Sequence, residues 1–394
     1  MSAPSRGEAA VPVLFVSSHA LAGGSERWLA SLLDDLPSEW IAGVVSLAAG
    51  PAVEQFRAVG GTVEVIEAAG RAGIPRGVLG LRRALRRTRP AVVHANGIKA
   101  AAVAVLACAG TGVPVVWMRH DFSGEGLPAR MLALASSRVV GVSDAVLETV
   151  PAALGSRTST IHTGIARSVP DRHQARRAVR ELAGADTTVI GIVGRLHPAK
   201  GQADVIELLP GLMRDHPETV LLLIGAEDPN VPGVEGQLRD RVRGLGMDDH
   251  VVFAGWRTDG SELVAGLDIL AVPSQPDAQG VGKEGFGLVA LEALAAGVPV
   301  VGYADGALPE VVGPAGILTP PGSRADLGRA LARLVGDPAL CERLGARGRA
   351  RATERFSRRP MVEALTALYR AIAPGTAGGG SSSGSGSGSG SSPS

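Results

Sequence analysis

A chain of 394 residues with 45% apolar content can bury large cores, and two domains are the default expectation at this length. A formal net charge of +1 and only 3% aromatic residues argue against bulk nucleic-acid binding, which needs a basic surface and rings for base stacking. The two cysteines, Cys108 and Cys341, sit among small apolar residues and read as reduced core thiols.

Met1–Ala10 lacks the basic start and apolar run of a secretory signal, so a cytoplasmic chain is expected. The strand candidates of the first half are Val11–Ser17, Gly43–Leu47, Thr62–Glu67, Ala91–Ala95, Val113–Met118, Arg138–Val142 and Thr158–His162. Amphipathic segments alternate with them, which argues for a parallel sheet wrapped by helices. Gly23 and Gly24 open a helix directly after the first strand, with Glu26 in its first turn. The run Arg76–Arg89 holds six arginines and no acid, with Val78, Leu81 and Leu85 on one side of the helix it predicts. Such a helix can lie on an anionic bilayer through Arg82–Arg89, or it can be a solvated outer layer on its sheet. His94 falls inside a strand pattern and reads as buried structure, whereas His120 follows a strand end in Arg119-His120-Asp121, where Asp121 could orient its ring. Ala100–Met118 carries no charge across nineteen residues, but Gly110-Thr111-Gly112 and Pro114 break it into a helix, a turn and a strand.

The polar, Arg-rich stretch Ala166–Asp186 separates the halves and is expected to hold a hinge. The strands that follow are Thr188–Val193, Val220–Ile224, Val251–Ala254, Ile269–Val272, Pro299–Gly302 and Gly316–Leu318. Unbroken apolar runs such as Val220–Ile224 mark strands covered on both faces. The fold expected is α/β: two doubly wound domains facing across a cleft, over 11–170 and 187–356, then a helix in 357–373 and a Gly/Ser tail, 375–394, unable to order itself.

Two strand-to-helix turns carry the chemistry. Gly194-Arg195-Leu196-His197-Pro198-Ala199-Lys200-Gly201 puts Arg195 and Lys200 at the end of an apolar strand. Glu284-Gly-Phe-Gly-Leu-Val-Ala-Leu-Glu292 places two carboxylates around a glycine turn that runs into a helix. Two cations, a helix N-terminus and two acids are what a diphosphate bearing a sugar and a ribose requires. Among described motif types there are no paired His/Cys spacings, no Asp-x-Asp strand-end loop, no serine elbow and no Walker A loop, so metal-independent chemistry is expected.

The pair G-R-L-x-P-x-K-G and E-G-F-G-x-x-x-x-E resembles the retaining glycosyltransferases of family 4, and the similarity runs from about Val11 to Ala373, including Val92–Asn96, Gly141–Asp144 and Val272–Ser274. The resemblance implies the GT-B fold, with the last helix crossing back onto the first domain. It implies transfer of a sugar from a nucleoside-diphosphate donor to a hydroxyl of a small-molecule, glycan or lipid-linked acceptor, with no cofactor beyond the donor. Arg195 and Lys200 would grip the diphosphate, Glu284 and His120 would touch the donor sugar, and Glu292 would accept from the ribose. Gly23, Gly24, Gly285, Phe286, Gly287, Leu288 and Val289 would line the donor site, and Phe253 would mark the segment that reads the base. Glu26 is the candidate for acceptor hydroxyls. The loop between Ser274 and Glu284 is longer than the family pattern, and Lys283 precedes the first acid. A sugar-nucleotide epimerase or phosphorylase on the same fold, and a non-catalytic binding subunit, are the alternatives.

Overall fold

Apolar runs of four to six residues build the frame. The computed structural model describes residues 10–374 except 22, 60, 123–125, 166–169 and 277–281. Its strands are β1 (Val13–Ser17), β2 (Ile41–Ser46), β3 (Val63–Val65), β4 (Val92–Asn96), β5 (Val115–Arg119), β6 (Arg138–Gly141), β7 (Thr158–Thr160), β8 (Thr188–Val193), β9 (Thr219–Ile224), β10 (Val251–Gly255), β11 (Ile269–Val272), β12 (Val300–Tyr303) and β13 (Gly316–Thr319). They form a seven-stranded sheet in the order β3-β2-β1-β4-β5-β6-β7 and a six-stranded sheet in the order β10-β9-β8-β11-β12-β13. Pairing is parallel throughout. Each expected strand is present. The edge strand expected over Thr62–Glu67 shrinks to Val63–Val65, where there is a neighbour on one side only.

Parallel strands are sandwiched, and their residues show it. All five residues of β1 are buried; Val13 and Phe15 enter one core while Leu14 and Val16 enter the other. In β9 all six are buried. Each fully buried valine or leucine contributes about 1.5–3 kcal/mol of transfer free energy, and a cavity at Phe15 would cost about 3–5 kcal/mol.

Ala100–Met118 resolves into the helix Ile98–Cys108, a turn with Gly110 and Gly112 at φ 78° and 76°, and β5. Among the described residues no helix is long and apolar enough to cross a membrane. Within the stretch expected to hold a hinge, Arg172–Ala183 is a helix capped by Asp171. Arg176 and Arg180 tie it to Asp268 at 2.8 and 2.9 Å beside β11, so this segment is fastened to the second sheet. Residues 166–169 and the Gly/Ser tail lie outside the described residues. The helix Arg358–Ile372 packs on the first sheet's layer: Arg358 Nε meets Asp35 at 2.6 Å, and Tyr369 Oη bonds His94 Nδ1 at 2.8 Å. Both cysteines are free, and burial raises Cys108 to about 12 and Cys341 to about 11.

Candidate active site between the two sheets

In both sheets the strand order reverses beside the first strand of the lobe, between β1 and β4 and between β8 and β11. The carboxyl ends of the strands splay at such switch points and leave a crevice. At the second, Arg195 and Lys200 follow β8 while Ser274 follows β11. Gly201 makes the turn possible: its φ is 68°, and a Cβ there would lie 2.1 Å from the Pro273 carbonyl oxygen.

Lys200 Nζ bonds Glu284 Oε1 at 2.5 Å, and Ser274 Oγ donates to the same oxygen at 2.7 Å. Burial pushes the Glu284 carboxyl upward, but the charge and hydrogen bond of Lys200, then Ser274 and Arg195, outweigh it and hold the group below the usual glutamate value. The acid is therefore ionised at neutral pH. Arg195 reaches into the crevice with 64% of its side chain exposed, anchored at one end by buried Asp228. Asp228 is oriented in turn by the backbone and side-chain N–H groups of Asn230, both at 3.0 Å. Neither Asp228 nor Ser274 was assigned a role from sequence.

Gly285 has a reason to be glycine. A Cβ at this position would stand 1.9 Å from the His120 carbonyl oxygen, at the end of β5 in the other lobe. Ser143 Oγ donates to the Gly285 carbonyl at 2.6 Å, so the acidic turn is docked onto the first lobe. Gly287, at φ 83°, caps the helix Leu288–Ala296, whose start carries Leu288 and Val289. Phe286 is 5% exposed, and its ring packs against Phe356 with centroids 5.6 Å apart. That ring serves the seam between the lobes, and only its backbone belongs to the turn.

The first lobe's contribution is neutral and ring-rich. His120 Nε2 lies 2.5 Å from Asn96 Oδ1, and Asn96 Nδ2 donates to the Ser25 carbonyl at 3.1 Å. The amide oxygen must therefore accept, so Nε2 carries the proton and Nδ1 is left as an acceptor. Burial lowers His120 to about 4, Asp121 opposing through its charge, so the ring is uncharged at neutral pH. Trp28 meets it edge-on at 4.9 Å. His94 is fully buried under Tyr369, as its strand position implied. Glu26 is 3% exposed, and its carboxylate folds back on the backbone N–H groups of its own first turn; burial raises it nonetheless. This is the geometry of a helix cap, which competes with any acceptor role.

Glu292 lies apart from Lys200 and Glu284, one face further round the helix. It meets Arg27 of the first lobe at 3.2 Å, and its Oε2 is buried with no partner. Both line a cavity of about 650 Å³ between the lobes, with Asp259, Ser261 and Trp28. Phe253 is partly buried against the second lobe's core, and the Arg239 guanidinium lies over its ring at 4.1 Å. Among the described residues one group has the donor spacing for a metal, Asp144, His162 and Glu310, but its atoms are already engaged: Glu310 pairs with His162 and accepts the Asp144 backbone N–H, while the Asp144 carboxylate accepts from Thr160 Oγ1.

The comparisons with known proteins agree with this geometry. The profile described as glycosyl transferases group 1 matches residues 176–351, and that of glycosyltransferase family 4 matches residues 22–168. A GDP-mannose-dependent monoacylated alpha-(1-6)-phosphatidylinositol monomannoside mannosyltransferase of Corynebacterium glutamicum is 30% identical over 294 residues, covering 72% of this chain and 74% of its own. A D-inositol 3-phosphate glycosyltransferase of Actinosynnema mirum is 30% identical over 325 residues, covering 74% and 75%. Anabaena Alr3699/HepE, crystallised with UDP and glucose, superposes with a TM-score of 0.78 at 25% identity, over 91% of this chain and 99% of that one. The two sheets are thus the Rossmann-like halves of a GT-B fold, and the chain belongs to glycosyltransferase family 4, as an enzyme that takes its sugar from a sugar nucleotide.

Proposed function

We propose that the chain transfers a hexose from a nucleoside diphosphate to an acceptor hydroxyl with retention at the anomeric carbon, and without a metal ion. The observation that carries this is the meeting of Lys200, Glu284, Ser274 and Arg195 at the β8/β11 switch point, directly against the β5 end that holds His120. Arg195 and Lys200 supply two positive charges where a diphosphate would gather negative charge as it leaves. The helix start at Gly287–Val289, three residues after Glu284, would add N–H groups and a helix dipole. Glu284, kept ionised by its neighbours, accepts from donor-sugar hydroxyls, and neutral His120 offers Nδ1 as a further acceptor. The ribose hydroxyls fall to Glu292, which lines the cavity and keeps one buried carboxylate oxygen without a partner.

The bond changes follow from this disposition. The anomeric carbon–phosphate oxygen bond breaks as the acceptor oxygen attacks from the same face. The acceptor's proton passes to an oxygen of the departing phosphate, so no protein base is required. Among the described residues Glu284 is the carboxylate beside Lys200, and it is tied up by a cation and a hydroxyl rather than free to act as a nucleophile.

The relatives' printed names cover GDP-mannose and acceptors built on inositol, while the crystallised neighbour holds UDP. They support a nucleotide-sugar donor and a glycan, small-molecule or lipid-linked acceptor for this chain. A thermal-shift screen against UDP-, GDP-, ADP- and TDP-sugars tests the donor, because a ligand that binds only the native state raises its melting temperature. Stabilisation by one of these, lost in Lys200→Ala, is expected; indifference of both proteins to all four would remove the reading.

A further inference from the structure

The first lobe has two faces of different character. Five large apolar side chains stand out into solvent on one of them: Leu79, Leu106, Leu127, Met131 and Leu134, each 50–72% exposed. They come from the helices Ile74–Thr88, Ile98–Cys108 and Leu127–Ala135, whose inward residues share one core on the same side of the seven-stranded sheet. On the last of these, Leu127, Met131 and Leu134 follow a spacing of four and three, which draws one stripe along the helix. Arg82 joins the first helix to the second, donating to the Leu106 and Ala107 carbonyls at 3.3 and 3.4 Å.

These three helices contain no aspartate or glutamate, yet they carry exposed arginines at 76, 82, 83, 86, 87 and 130. An acid does reach the face from β3, where Glu64 pairs with Arg87 at 2.5 Å. On the opposite side of the sheet, the helices Gly24–Asp35, Ala52–Ala58 and Arg358–Ile372 hold Glu26, Asp34, Asp35, Glu54 and Glu363 beside Arg27, Arg57, Arg358, Arg359 and Arg370, so that side is balanced where the leucine-bearing side is basic. Segregation of this kind is not what a uniformly solvated helical layer needs.

We propose that this face docks on an anionic lipid bilayer, with the leucines and Met131 at the acyl boundary and the arginines against lipid phosphates. The charge decides between occupants. A second copy could cover the leucines, but a symmetric contact would press one set of arginines against the other. A nucleic acid would satisfy the arginines and leave the leucines in water. A bilayer with anionic headgroups satisfies both. The stripe begins at Leu127, shortly after the β5 end that bears His120, so docking turns the lip of the crevice toward the lipid. That orientation suits an acceptor hydroxyl on a lipid-borne molecule; this last step rests on the transferase reading, whereas the docking does not.

Flotation of the full chain tests it, using vesicles of phosphatidylcholine alone and with one third phosphatidylglycerol. Binding to the anionic vesicles, release by high salt and little binding to neutral ones are expected. Arg82→Glu with Arg86→Glu should lower the bound partition by about tenfold or more. Leu127→Ser with Met131→Ser should lower it by about tenfold. Unchanged melting temperature and unchanged stabilisation by nucleotide sugar in both variants would show that the fold is intact. Equal binding to neutral vesicles, indifference to both pairs of substitutions, or self-association in solution that the serine pair abolishes would overturn the proposal.

Discussion

The two switch points share an architecture and differ in chemistry. At β8/β11 the groups are charged and pre-paired: Lys200 with Glu284, Arg195 with Asp228. At β1/β4, and at the adjoining end of β5, they are neutral and ringed: Asn96, His120, Trp28 and, behind them, His94. On the proposed reading, one crevice wall would meet a diphosphate and the other would meet hydroxyls that react without being ionised in advance. The lesson is that a doubly wound sheet fixes where a ligand lies, while the side chains at each strand end decide which half of a reaction it serves.

The sharpest test of that contrast is Lys200→Ala. It removes a cation that pairs with Glu284 at rest and would face the charge gathering on a departing diphosphate. The expected fall in kcat is about 10²–10³-fold in a glycosyl-transfer assay. The fold should persist with a lower melting temperature, because Glu284 loses its partner. Near-normal turnover would erase the distinction between the walls. Gly285→Ala attacks the contact where the walls touch. The new methyl would collide with the His120 carbonyl, which is backbone and cannot swing aside, so the lobes must part; a loss of stability of about 1–3 kcal/mol and a larger loss of activity are expected. Asp228→Asn is milder: Arg195 keeps its charge but loses its ionic anchor, and donor KM should rise by about tenfold with a smaller change in kcat. A matching fall in kcat would show that Arg195 acts mainly after binding.

Acid should separate the walls as well. His94 and His120 are held neutral, at about 3 and about 4 against an ordinary 6.5. Between those values the unfolded chain binds more protons than the folded one, so the stabilisation is complete above pH 6.5 and is lost as the pH falls. For buried His94 the loss at pH 5 is roughly 2 kcal/mol. Glu284, with its value lowered from 4.5, contributes stability that persists above that point and is lost only at still lower pH. Melting curves at pH 7 and pH 5 should differ by several degrees, and hydrogen exchange should place the weakening in the first lobe; a flat profile would contradict it. The smallest effect is expected for Arg27→Ala, which breaks a half-exposed pair to Glu292 and should shift donor KM by no more than about threefold.

Much of this was legible in the chain. Continuous apolar runs announced the strands because residues buried on both faces need no polar alternation. Arg195, Lys200, Glu284 and Gly285 stood out because two short motifs hold them at strand ends. What escaped were the partners: Asp228 lies 33 residues from Arg195, and His162 lies 148 from Glu310. Such pairs are made by strand order, which brings distant turns together and leaves no periodic trace. The ring positions of Phe286 and Phe253 were not legible for a related reason, since a motif gives the place of a backbone and not the direction of a ring.

The helix Arg358–Ile372 has a consequence for how the molecule comes into being. Tyr369 closes over His94 and Arg358 grips Asp35, so the amino-terminal half acquires its final layer from a segment 275 residues beyond His94. On the ribosome that half must wait, its Phe15–His94 surface uncovered, until the helix Arg358–Ile372 emerges. Maturation of the two halves is thereby made simultaneous, and a nascent chain stalled before residue 358 would present an adhesive, incomplete lobe to chaperones.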